Sequence, residues 1–172
     1  MSEKKTVFLT GASGNMGFAG FQELYQRKDQ FNLVLLNRGS DKNREKFKFY
    51  ANDPSVKLVW GDLTNYEDVL ACVTGADYIL HVGGMVSPAA DYFPKRTMKT
   101  NIGAIENIIR AIKAQPDPDA VKLVYIGTVA QTGDRNPPHP LGAARAIRSR
   151  LVFTITMQSA KRSPRQRWLN LA

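Results

Sequence analysis

The chain has 172 residues, 43% hydrophobic and 23% charged, which suits one globular domain with a buried core and argues against general disorder. No apolar run approaches the ~20 residues that span a bilayer, no secretory leader is visible before Val7-Phe8-Leu9, and one cysteine (Cys72) with two histidines (His81 and His139) suits neither a disulfide nor a structural zinc site, so a reducing cytoplasm is the expected setting. The 24 basic and 15 acidic residues divide unevenly: residues 143–172 hold seven basic side chains and no acid, leaving 17 against 15 in the first 142.

Lys5–Thr10 is a short β-rich run ending in glycines, a buried first strand. Phe18, Phe21, Leu24 and Tyr25 then recur at helical spacing within Asn15–Arg27. Asn32–Asn37 is a continuous apolar run suited to a strand covered on both faces. Lys42–Asn52 is charged and reads as a helix, and Val56–Trp60 as a third strand closed by Gly61-Asp62. Asn65–Val73 is a helix with an Asn cap and acids at Glu67 and Asp68 in its first turn. Tyr78–Val82 is a fourth strand, Pro94–Ala114 a helix with Pro94 near its start, and Val121–Ile126 a fifth strand. Short apolar strands alternating with helices predict a Rossmann-like, doubly wound parallel sheet, ending after about the fifth strand. The composition changes near Gly142, so residues 1–142 are expected to form the domain and 143–172 a basic irregular tail.

Gly11, Gly14 and Gly17 form a G-x-x-G-x-x-G loop between the first strand and the first helix. Such glycines permit a tight turn, close approach to a diphosphate and close helix–strand packing, while the helix N-terminus offers free N–H groups. The strand before and helix after lift this loop above an ordinary glycine-rich turn. Dinucleotide contacts are therefore expected at Gly11, Ser13, Gly14, Asn15, Met16 and Gly17. The end of the second strand, about 20 residues on, meets the adenosine ribose in this arrangement. Asn37 and Arg38 stand there and no acid does. Arg38 can pair with a 2′-phosphate, which favours NADP over NAD; the alternative is a solvated arginine in a charged loop.

On these residues the chain resembles the extended short-chain dehydrogenase/reductase superfamily, specifically its NAD(P)-dependent epimerase/dehydratase group. The TGxxGxxG loop matches Thr10–Gly17, and the Asp-Leu pair that contacts adenine matches Asp62-Leu63. The fourth-strand segment beside the cofactor is similar to His81-Val82-Gly83-Gly84, with His81 itself read as a packed strand residue. A helix-borne asparagine of the family matches Asn101, which reads equally as a polar residue on an exposed helix face. The segment after the fifth strand resembles Gly127–Gly133 and places the catalytic hydroxyl at Thr128. The resemblance implies hydride transfer on a nucleotide-sugar-like or other hydroxyl or carbonyl substrate, with Thr128 holding the substrate oxygen and a Tyr-x-x-x-Lys pair as acid/base.

The chain departs from that pattern at its end, since no tyrosine follows Tyr125. A reading frame one nucleotide earlier across Thr156–Lys161 admits Tyr-Ala-Val-Ser-Lys, so the tail is expected to be frame-altered. Nucleic acid is not expected as a partner, because aromatics are sparse in the tail (Phe153 and Trp168) and no recognition motif occurs. A membrane-bound helix is not expected either, because Ser163-Pro164 interrupts any apolar face. The chain is thus expected to hold a dinucleotide without turning over substrate, and loss of the Tyr-x-x-x-Lys helix puts the family's homodimer in doubt. The alternative is a non-catalytic NAD(P)-binding or sensing module.

Overall fold

The computed structural model describes residues 3–127 and the backbone of 154–155. The expected strands form around β1 (Lys5–Thr10), β2 (Phe31–Asn37), β3 (Val56–Trp60), β4 (Tyr78–His81) and β5 (Lys122–Tyr125). They lie parallel in the order β3-β2-β1-β4-β5. A two-residue strand, β6 (Thr154–Ile155), pairs antiparallel with β5. The order reverses between β1 and β4. At such a switch point the loops beyond the carboxyl ends diverge and leave a crevice.

Both faces of the sheet are covered, which explains why its strands read as unbroken apolar runs. Side chains alternate across the pleat. Val7, Leu9, Leu33 and Leu35 pack with Phe21 of α1 (Asn15–Tyr25) and Phe47 of α2 (Asp41–Phe47). Phe8, Val34, Leu36 and Ile79 pack on the other face with Val69 and Val73 of α3 (Tyr66–Val73) and Ile108 and Ile112 of α5 (Pro94–Lys113). Cys72 lies in this second layer, where burial pushes its thiol up to about 12.

Three helical details differ from expectation. The segment expected as one helix over Lys42–Asn52 is α2 followed by a 3₁₀ turn at Lys48–Tyr50, because Phe47 and Tyr50 both turn inward onto Phe21. The first helix ends at Tyr25, whose hydroxyl donates to Asp53 at 2.7 Å. A four-residue helix, α4 (Ala89–Tyr92), precedes α5 without an apolar period to announce it. The Asn65 cap of α3 is present, its side chain accepting the Glu67 N–H at 3.0 Å. Among the described residues, no helix is long and apolar enough to cross a membrane.

Candidate functional site

The carboxyl ends of β1 to β4 bring four separated segments together: the glycine loop, Asn37-Arg38, Asp62-Leu63 and the loop after His81. The three glycines of the first segment do different work. Gly11 has φ +73°, and a Cβ there would lie 2.6 Å from the Gly83 Cα. A Cβ on Gly17 would overlap the Gly11 carbonyl, so this position holds helix against turn. At Gly14 the nearest atom to an added Cβ is 3.4 Å away, an ordinary contact, and the residue is exposed. The fold does not require a glycine there. Gly14 caps α1 without a side-chain bond, and the N–H groups of Asn15, Met16 and Gly17 have no acceptor among the described residues. Three free donors beside an open glycine form an anion cradle at the positive end of an 11-residue helix.

Ser13 is tied from outside the loop: its carbonyl accepts from Lys46 Nζ at 3.0 Å. Asn37 is 3% exposed, and its amide nitrogen and oxygen both lack a partner. Burying an amide without hydrogen bonds is costly. This orphaned amide stands at the end of β2, where hydroxyls of a ribose would satisfy it. Arg38 is exposed, and its carbonyl accepts from Asn43 Nδ2 at 2.8 Å and from the Ser40 N–H at 2.9 Å.

Asp62 Oδ1 accepts both the backbone N–H and the hydroxyl of Thr64, each at 2.8 Å. The Thr64 N–H bond leads in holding its carboxyl below the usual range, against the opposing effect of burial and with help from the Thr64 hydroxyl, Arg38 and Arg96. Its own N–H donates to Asp68 Oδ2 at 2.9 Å, and Asp68 lies so close over Gly61 that a side chain there would collide. The Leu63 carbonyl accepts from Asn107 Nδ2 of α5 at 2.9 Å. The Leu63 methyl Cδ1 lies 3.2 Å from where a Cβ on Gly83 would stand. Leu63 and the Gly83 backbone thus face one another, and Val82 packs into the first core layer.

His81 is 2% exposed, and burial lowers its pKa to about 4. Its Nδ1 lies 2.7 Å from Thr10 Oγ1, and that oxygen also accepts the Gly83 N–H at 3.0 Å. The Thr10 hydroxyl thus bridges the Gly83 N–H and His81 Nδ1, donating to the ring or accepting from it according to the imidazole tautomer. Thr10, His81 and Tyr125 occupy one register row across three strands, and the His81 and Tyr125 rings are 5.6 Å apart. His81 is the packed strand residue expected, and it also pins the glycine loop to the loop after β4.

Asn101 closes on the main chain of Met85: Oδ1 accepts the Met85 N–H at 2.8 Å and Nδ2 donates to the Met85 carbonyl at 3.0 Å. Its visible work is to hold the loop following Gly83-Gly84. Thr128 and the segment Thr156–Lys161 lie outside the described residues. Sequence reasoning missed Lys46 and Asn107. Asn107 had a signal, a polar residue within the apolar stripe of Ile105, Ile108 and Ile109. Lys46 had none, since only tertiary folding brings α2 to the glycine loop.

The model of the NAD dependent epimerase/dehydratase family matches residues 7–151. Among curated proteins, a UDP-glucose 4-epimerase of Rickettsia bellii (strain RML369-C) is 25% identical over 153 residues, 87% of this chain and 43% of that protein. The UDP-glucose 4-epimerase of Rickettsia conorii (strain ATCC VR-613 / Malish 7) is 23% identical over 164 residues, covering 93% and 45%. The chain therefore spans less than half the length of these relatives. Among solved structures, the enzyme WbmH of Bordetella bronchiseptica in complex with NAD+ aligns with TM-score 0.62 at 21% identity, over 80% of this chain and 44% of that one. A dTDP-glucose 4,6-dehydratase of Bacillus anthracis str. Ames in complex with NAD aligns with TM-score 0.61 at 16% identity, over 84% and 48%. These similarities share the parallel sheet and its flanking helices.

Proposed function

Because this chain belongs to the NAD dependent epimerase/dehydratase family, we propose that it is the dinucleotide-binding part of a sugar-nucleotide epimerase or dehydratase. The observation that carries the reading is Gly14, where a Cβ would meet nothing closer than 3.4 Å although three free helix N–H groups surround the position. A nicotinamide dinucleotide, when bound, supplies a hydride acceptor and donor. The chain's own residues do the holding: Asn15, Met16 and Gly17 N–H groups at the diphosphate, Asn37 at the ribose, and Asp62, Leu63, Val82 and Gly83 along the crevice. Arg38, with no acid beside it at the end of β2, supports NADP over NAD.

The UDP-glucose 4-epimerase relatives support a hydroxyl-bearing sugar nucleotide as the substrate class. In this reading Thr128 donates to the substrate oxygen, and Asn101 acts on the site through the loop it clamps. No tyrosine follows Tyr125. Residues 1–142 then bind without turnover, residues 143–172 are a frame-altered tail, and the homodimer that needs the Tyr-x-x-x-Lys helix is weakened. The setting is cytoplasmic.

Calorimetry of the full chain with NADP+ and NAD+ tests the binding claim. Saturable heat, larger in affinity for NADP+ and abolished by Gly14→Val, is expected; no heat with either coenzyme overturns it. Reading the coding DNA tests the tail: a shifted frame that fails to spell Tyr and Lys across Thr156–Lys161 removes the frame explanation. A sensing module is the second reading, favoured by the missing tyrosine. Binding without turnover after the frame is restored supports it, whereas regained turnover supports the enzyme.

A further inference from the structure

We propose that Asn107 of α5 is a positioning residue for the coenzyme's base: through the Leu63–Thr64 peptide it holds the Asp62 carboxylate where the exocyclic amino group of adenine donates to it. The proposal rests on the dinucleotide reading above and deepens it, Asp62-Leu63 being the pair that the family resemblance assigns to adenine. One peptide unit carries the connection. Its carbonyl, that of Leu63, accepts from Asn107 Nδ2 at 2.9 Å. Its N–H, that of Thr64, donates to Asp62 Oδ1 at 2.8 Å. The peptide is trans, so these two groups point in opposite directions, and fixing the carbonyl also aims the N–H.

The other hydrogen bonds of this turn are local. The Asp62 N–H donates to Asp68 Oδ2 at 2.9 Å, the Asp62 carbonyl accepts the Asn65 N–H at 3.0 Å, and the Thr64 hydroxyl donates to Asp62 Oδ1 at 2.8 Å. Asn107, 44 residues from Leu63, ties the turn to a different part of the fold. Its helix is anchored there, with Ile108, Ala111 and Ile112 buried in the second core layer. Both bonds from Thr64 fall on Oδ1 of the exposed Asp62, and Oδ2 accepts nothing among the described residues. The Thr64 N–H leads the groups that hold this carboxyl below its usual range, so the free oxygen belongs to an ionised group. An amino donor is its complement, and a bond to a charged acceptor is among the stronger kinds. Asn107 touches no ligand in this arrangement; it decides whether that oxygen is already in place when one arrives.

The test uses the full chain in calorimetry with NADP+ and with its purine analogue, which differs only in lacking the amino group on the base. The wild type is expected to prefer NADP+ about tenfold or more, as a hydrogen bond to a charged acceptor allows. Asn107→Leu keeps the bulk of the side chain and removes the donor. It is expected to cut that preference to about threefold or less, while changing affinity for the purine analogue less than about twofold. Arg110→Met is the control: it removes the guanidinium that lies 3.8 Å over the Tyr66 ring and loosens α5 against α3 without touching Leu63. It is expected to leave the preference unchanged. On the unaltered chain, NADP+ is expected to slow exchange of the Asn107 side-chain amide protons, read by NMR, and the purine analogue to leave it unchanged. A preference that survives Asn107→Leu, one lost equally with Arg110→Met, or an Asn107 amide that NADP+ does not protect overturns the proposal. Equal affinity of the wild type for the two ligands overturns it while leaving dinucleotide binding intact. Failure of the wild type to bind either overturns the dinucleotide reading and this proposal with it.

Discussion

Gly11 and Gly83 meet backbone to backbone, so closely that a Cβ on Gly11 would stand 2.6 Å from the Gly83 Cα and 2.7 Å from its nitrogen. Gly11 also carries φ +73°. The loops after β1 and β4, the adjacent parallel strands at the switch point, are thus joined through positions without side chains and share one wall.

This contact separates the glycines by experiment. Gly11→Ala is expected to cost at least about 2 kcal/mol through left-handed backbone strain and collision, lowering Tm by roughly 4–8 °C. Gly14→Ala, with its open surroundings, is expected to leave Tm within about 2 °C while weakening coenzyme binding. Thermal melts beside calorimetry read both. Equal destabilisation by the two substitutions contradicts the division of labour.

His81 predicts an acid-sensitive fold. Its folded pKa of about 4 lies below the ordinary 6.5, so between these values the unfolded chain binds more protons than the folded one. The stabilisation is complete above about pH 6.5 and is lost as pH falls toward 4. From pH 7 to 5 the loss amounts to about 2 kcal/mol. Urea unfolding of the wild type and His81→Gln at both pH values checks this: the gap between them is expected to narrow by that amount on acidification. A constant gap means that the imidazole charges freely in the folded protein.

Asn101 and Asn107 make α5 a brace for two loops that follow the carboxyl ends of β4 and β3, one bonding Met85 and the other Leu63. Asn101→Ala removes two hydrogen bonds to a half-buried amide and carbonyl, at about 1–3 kcal/mol. Because the loop lies outside the two core layers, the expected effect is local. Amide exchange at Met85 accelerates by about tenfold or more while exchange in β1 and β2 holds. Uniform acceleration throughout the sheet would show that the loop is part of the global folding unit.

Far from the crevice, Asp53 provides a control. Lys28 at its carboxylate, the Ser55 N–H and the Tyr25 hydroxyl hold it well below the usual carboxylate range, in that order. The ionised form stabilises the fold above the ordinary value of 3.8, and the contribution disappears as pH falls through the lowered one. Asp53→Asn is expected to lower Tm at pH 7 with coenzyme affinity unchanged, and the two proteins to converge in strong acid. A changed affinity would tie this corner to the site.

Much of this architecture was legible in advance because it rests on local patterns. Val7–Leu9 and Leu33–Leu36 are unbroken apolar runs, as strands covered on both faces must be. Gly11, Gly14 and Gly17 follow one of them directly, and a strand–glycine–helix order leaves free amides wherever it occurs. Less legible were contacts made over long separations. His81 looked like packing alone, yet through Thr10 it joins β4 to the glycine loop 71 residues away. Asn101 read equally as a family-matched asparagine and as a polar residue on an exposed helix face; the fold closes both its amide atoms on Met85, 16 residues away.

The order of residues by itself determined the alternation of strands and helices, the place of the anion cradle and the missing acid at the end of β2. Each depends on neighbours within about one element's length, where periodicity, glycine freedom and helix polarity act directly. Tertiary structure alone decided that Lys46 reaches Ser13, that Asn107 holds Leu63, and that only two of the three glycines are required by the fold. Those outcomes depend on which backbones approach within van der Waals distance after the sheet assembles, a steric matter that no one-dimensional pattern encodes.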